Sequence, residues 1–180
     1  MSTGTATIQT ITGSYFQFLK PEEHDYPIHE IAHSLSQLCR YTGHTQRFYS
    51  VAQHSVHVSK LVPAHLALLG LLHDASEAYL GDVTSPLKRL LPEYRVIEDA
   101  TEAAIAKVYD LPHPMPPEIR KADLTMLLTE KRDLMLRHPD DKVHWPEYPD
   151  ISPLPGVVMP WTSEFARDAF LRRYYEITCP

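Results

Sequence analysis

The sequence predicts an all-α bundle carrying one small β-hairpin at its N-terminus. Apolar residues recur at i, i+3 and i+4 in successive stretches from Ile28 to Ile177, which is the spacing of one helical face. Strand-like alternation is confined to Ile8–Leu19, and clusters of prolines separate later stretches, at residues 111–117 and 138–160. With 180 residues and 43% hydrophobic content, the chain suits a single domain, residues 1–180, large enough to bury a site.

The hairpin is centred on Thr12-Gly13-Ser14. A polar loop from Pro21 to Pro27 leads into a first helix. Its apolar positions Ile28, Ile31, Ala32, Leu35, Leu38 and Cys39 carry it to Arg40-Tyr41, with Thr42-Gly43-His44 as its stop. Ser50 reads as the N-cap of a second helix running to about Leu61, with Val51, His54, Val58 and Leu61 inward. Pro63 opens a third helix that ends near Leu80-Gly81, and Asp82 to Lys88 reads as a structured loop around Pro86. A long helix from Pro92 to about Tyr109 turns Val96, Ile97, Ala100, Ala104, Ile105 and Val108 inward. Another, from about Glu118 to Leu136, turns in Ile119, Ala122, Asp123, Met126, Leu127 and Leu134. Prolines 139, 146, 149, 153, 155 and 160 make residues 138–160 ordered but irregular. A last helix, about Thr162 to Ile177, packs through Phe165, Ala169, Phe170 and Tyr174.

Charge and cysteine content narrow the function classes. Lys+Arg 17 against Asp+Glu 23 gives a net charge of -6 with no block of five like charges, so long nucleic acid is not the expected partner. No stretch approaches a membrane span and no secretory signal opens the chain. Cys39 and Cys179 form no C-x-x-C pair, which suits a reducing cytoplasm.

Against this background the third helix stands out. His73, Asp74 and Glu77 interrupt an apolar run, and on a helix His73 and Glu77 would share a face. Unpaired charges there are costly, so the run implies a metal ion or a hydrogen-bonded polar network. His54 and Asp123 are metal-competent residues on the inward faces of two other helices. Two imidazoles and two carboxylates suit a divalent Mn, Co, Mg or Zn ion with positions left open for water and substrate, and hence catalysis. Taken singly, His54 is more often a hydrogen-bonded core histidine and Lys88 more often a solvated loop charge, while Arg40 equally suits a cation at a helix C-terminus.

The order His54, His73-Asp74, Asp123 resembles the HD-domain metal-dependent phosphohydrolases over roughly Ile28 to Leu136. More narrowly, four motifs look like the 5'-deoxynucleotidase branch and the related phage dATP triphosphohydrolases. They are Arg40-Tyr41, Ser50-Val-Ala-Gln-His54-Ser, His73-Asp74-Ala-Ser-Glu77 and Gly81-Asp82-Val-Thr-Ser-Pro86-Leu-Lys88. The resemblance implies an HD-domain helical bundle in which His54, His73, Asp74 and Asp123 bind the metal. It further implies that Glu77 orients or deprotonates water, Asp82 contacts the sugar or supports proton transfer, and Arg40, Tyr41 and Lys88 bind substrate. Tyr41 replaces the tryptophan that this branch carries beside the arginine. Ala78 after Glu77 departs from the acidic pair of the guanosine-tetraphosphate hydrolases, and His44, His57 and His65 do not supply the further ligands of the cyclic-dinucleotide branch. The implied activity is phosphate release from deoxynucleoside monophosphates, with triphosphate release from dNTPs as the alternative and a non-catalytic nucleotide-binding regulator as a third. The implied partners are a small deoxynucleotide and further copies of the chain, in a homo-oligomer.

Overall fold

The computed structural model describes residues 6–141 and 145–179. The hairpin forms as expected: β1 (Thr7–Gln9) pairs antiparallel with β2 (Tyr15–Gln17), placing Ile8 opposite Phe16. Its turn passes through Gly13 at φ +84°, a conformation that a residue without Cβ adopts freely. The rest is helical: α1 (Ile28–Gln37), α2 (Val51–Leu61), α3 (Ala67–Leu72), α4 (Glu77–Leu80), α5 (Ser85–Lys88), α6 (Pro92–Val108), α7 (Pro117–Leu134) and α8 (Ser163–Thr178). Among the described residues no helix is long and apolar enough to cross a membrane.

Helix α2 is the centre of the bundle, with α1, α3, α7 and α8 packed around it. Ser50 caps it, its hydroxyl accepting from Gln53 N at 3.2 Å. Nearly every α2 residue from Val51 to Ser59 is buried, including Gln53 and His54. Gly70 lets α3 approach α2 closely, since a Cβ there would lie 3.1 Å from the Ser59 backbone. The main core joins Phe16, Tyr26, Ile31, Leu35, Val51, Leu71, Tyr79, Ile105 and Phe170. A second, smaller cluster joins Tyr49, Val58, Met126, Leu134 and Val158.

Several expectations need correction. Helix α1 stops at Gln37, because Leu38 turns extended, its carbonyl accepts from Val51 N, and Cys39 bridges to Ser50. Arg40 therefore lies on a separate short turn, Arg40–Gly43, in which Tyr41, Thr42 and Gly43 all take left-handed φ of 57°, 54° and 78°. The single helix expected from Pro63 to Leu80 is broken at 73–76. There Ala75 N bonds Leu72 O and Glu77 N bonds Asp74 O, both tightened i to i−3 bonds. The break has a local cause: His73 Nδ1 takes the Gly70 carbonyl that an unbroken helix would give to the Asp74 N–H. Ser85–Lys88 is helical rather than loop. Val96, Ala100 and Val108 face out, because α6 buries Glu98, Thr101, Ala104 and Ile105 instead; Leu61 and Phe165 are also exposed.

The described part of 138–160 is irregular, as expected, and is strapped to the bundle near its end. Arg132 donates to the Leu154 and Gly156 carbonyls, Asp133 accepts from Val158 N, and Gln53 bonds both Met159 O and Trp161 N.

Candidate metal centre and active site

Three elements bring the chemistry together: α2 supplies His54, the tightened turn between α3 and α4 supplies His73 and Asp74, and α7 supplies Asp123. Ligand-competent atoms of His54, His73 and Asp123 all lie within 4.8 Å of one another, so these three residues could hold a metal ion. His54 Nε2 is 3.3 Å from His73 Nε2, 3.2 Å from Asp123 Oδ1 and 3.7 Å from Asp74 Oδ2. Asp74 Oδ2 is 3.3 Å from His73 Nε2 and also accepts from Arg40 Nη1 at 3.2 Å, so Asp74 joins the cluster with one oxygen already shared.

The donor set tests whether a cation belongs here. His54 donates its Nδ1–H to Glu130 Oε1 at 2.6 Å, and His73 donates its Nδ1–H to the Gly70 carbonyl at 2.9 Å. Neutral rings fixed this way present both Nε2 lone pairs to each other, with carboxylate oxygens beside them. Acceptors facing acceptors at such distances repel unless a positive charge lies among them, and the residues therefore fit a metal ion. A proton serves the same need: burial and Arg40 push the His54 ring down, but Glu130 and Asp123 outweigh them and hold it at about 9. Burial likewise opposes ionisation of Asp74 and Asp123, yet the two imidazoles keep both carboxyls below their usual range.

Glu77, at the start of α4, is buried beside this cluster. Its Oε2 has no hydrogen-bond partner among the described residues, while Oε1 lies 3.9 Å from Lys88 Nζ. Burial first, then the Asp74 and Asp82 charges, push its carboxyl well above the usual range. Asp82 is half-buried after the Gly81 stop (φ +81°), and burial raises it too. Lys88 bonds Glu98 and lies over the Tyr94 ring, so its ammonium is already paired.

The structure also assembles residues that the sequence reading passed over. Glu130 is fully buried on α7 and accepts from His54, Tyr49 OH (2.9 Å), Tyr41 OH (2.6 Å) and Arg40 Nε (3.2 Å). Burial opposes its ionisation, but His54 and Arg40 hold the carboxyl down at about 2. A sequence signal existed: Glu130 lies seven residues, two helical turns, beyond Asp123 on the same stripe.

No protein-family model matches the chain. It is 42% identical over 172 residues, 95% of each chain, to the uncharacterised protein YfdR of Escherichia coli K12. An uncharacterised Rhodobacter capsulatus protein is 34% identical over 122 residues, 62% of each chain. A 5'-deoxynucleotidase of Vibrio atlanticus is 49% identical over 47 residues, 24% of each chain.

Proposed function

The chain belongs to the family of the Escherichia coli protein YfdR, and we propose that it is an HD-domain metal-dependent phosphohydrolase releasing phosphate from deoxynucleoside monophosphates. The observation that carries the reading is the pair of facing Nε2 atoms, 3.3 Å apart, flanked by carboxylates, with Glu77 Oε2 nearby and without a hydrogen-bond partner among the described residues. The stretch shared with the Vibrio atlanticus 5'-deoxynucleotidase supports the substrate class. His54, His73, Asp74 and Asp123 would hold a divalent ion such as Mn, Co, Mg or Zn. When bound, it supplies Lewis-acid polarisation and lowers the pKa of a coordinated water.

The chain's own residues do the rest. Arg40 engages Asp74 through Nη1 and Glu130 through Nε, and its remaining N–H groups hold phosphoryl oxygens in the fork geometry suited to them. Glu77 takes the proton of the attacking water. Burial, then the Asp74 and Asp82 charges, raise this carboxyl, and once ionised a raised carboxylate is the stronger base. Asp82 contacts the sugar or relays that proton onward. Tyr41, fixed by its bond to Glu130, walls the sugar side, and Lys88 reaches the phosphate only by releasing Glu98.

The test is a panel of dNMPs and dNTPs with Mn²⁺, Co²⁺ or Mg²⁺, reading orthophosphate and triphosphate separately. Orthophosphate from dNMPs is expected. Triphosphate from dNTPs would replace the substrate assignment, and absence of any turnover would remove the enzymatic reading.

A further inference from the structure

We propose that Glu130 is the positioning residue that couples the two ends of the site, locking the His54 imidazole through one carboxylate oxygen and the Arg40-Tyr41 turn through the other. The inference rests on the metal-dependent reading above and assigns to one buried side chain the alignment of both halves.

The four donors divide evenly. Oε1 accepts from His54 Nδ1 and Tyr49 OH, and Oε2 accepts from Tyr41 OH and Arg40 Nε. A fully buried carboxylate persists only when its lone pairs are engaged, and here both oxygens are used twice. On the Oε1 side the consequence is tautomeric: a proton held at Nδ1 leaves Nε2 free to face His73 and Asp123. On the Oε2 side the consequence is conformational. Tyr41 and Thr42 hold left-handed φ of 57° and 54° ahead of Gly43, a run that non-glycine residues avoid unless their surroundings fix it. The Tyr41 hydroxyl and the Arg40 guanidinium both end on Glu130, so the strained turn is held at both of its leading side chains by one group.

Glutamine cannot replace this carboxylate. Its amide nitrogen donates and does not accept, so one donor pair would always face another donor. Aspartate would be shorter by a methylene and could not reach both sides. Because Glu130 shares α7 with Asp123, the helix that offers one ligand-competent oxygen also sets the orientation of a neighbouring ligand-competent ring.

The experiment uses the full chain and three variants, Glu130→Gln, Tyr49→Phe and Tyr41→Phe. Binding of Co²⁺ alone is measured by titration calorimetry and by the visible spectrum of the ion, and binding of inorganic phosphate is measured to the Co²⁺-loaded protein. Glu130→Gln is expected to lower Co²⁺ affinity by about 10- to 100-fold and to weaken phosphate as well. Tyr49→Phe should lower Co²⁺ affinity about fivefold and spare phosphate, while Tyr41→Phe should lower phosphate affinity about fivefold and spare Co²⁺, the worth of one hydrogen bond in each case. Wild-type affinities for both ligands in a folded Glu130→Gln protein would overturn the proposal. If that variant fails to fold, the tyrosine pair decides: the split supports coupling through two oxygens, and equal effects or none overturn it. Neither readout needs nucleotide turnover, so an inactive wild type would sink the phosphohydrolase reading while leaving this one to be judged on binding.

Discussion

His54 is where protonation and the proposed metal binding meet. Its ring sits at about 9 without a metal, against an ordinary value of 6.5, because Glu130 and Asp123 outweigh burial and Arg40. A raised value means that the bound proton stabilises the metal-free fold fully below about 6.5, and that this contribution fades as pH rises through about 9. The metal-free protein should therefore lose melting temperature across that window while the metal-loaded protein does not. Metal must displace the same proton, so apparent Co²⁺ affinity should fall about tenfold for each pH unit below about 9. Calorimetry in buffers of different ionisation heat should register close to one proton released per ion; affinity flat from pH 6 to 8 would place the proton elsewhere. For Glu77→Gln we expect retained Co²⁺ binding with kcat reduced on the order of 10²-fold or more, and an unchanged kcat would remove Glu77 from proton transfer. His54, His73 and Asp123 were legible because a polar residue on an apolar stripe demands an explanation. Glu130 obeyed the same rule and was missed because glutamate is common on helices and its four donors come from remote segments, invisible to local periodicity.

At the scale of elements, the distance between the two imidazoles is set by how closely α3 lies on α2. Gly70 makes that approach possible, and its carbonyl also orients His73. Gly70→Ala should cost roughly 1–3 kcal/mol through overpacking and weaken Co²⁺ binding by moving His73. Wild-type binding in a destabilised variant would mean that the site tolerates the shift. The hairpin depends on a second buried carboxylate. Burial pushes Glu30 up, but bonds from Thr10, Thr12, His24 and Tyr79 pull it below its ordinary 4.5. A lowered value stabilises above about 4.5 and is lost as pH falls, so Glu30→Gln should lose melting temperature at pH 7 and match wild type in strong acid. Helix existence and the Ser50 cap were legible from pattern alone. The break at 73–76 and the early end of α1 were not, since each follows from a competitor for a backbone group: the His73 ring in one case, the 49–51 segment in the other. Inward and outward faces of α6 were also confused, because Val96 and Val108 repeat with the same period as Ala104 and Ile105.

The whole molecule ties its site to its fold, since α2, α7 and the α3–α4 turn are at once the packing partners and the sources of site residues. Saturating Co²⁺ at 100 times its dissociation constant should add about 2.7 kcal/mol, or roughly 5–10 °C for a chain of this size, and a chelator should reverse it. A melting temperature indifferent to both would mean that metal and fold are independent. The irregularity of 138–160 was readable from its prolines, but its anchorage was not, because Gln53 and Arg132 reach it across long sequence separations. Helix α8 then acquires a temporal meaning. Ala166 and Phe170 have no exposed surface, and they pack with α1, α2 and α3. During synthesis the helix bearing His54 emerges early, yet its apolar flank waits bare until α8 arrives. A chain terminated before Ser163 would carry every candidate metal residue and an open core, a species prone to aggregation or proteolysis rather than to slow catalysis.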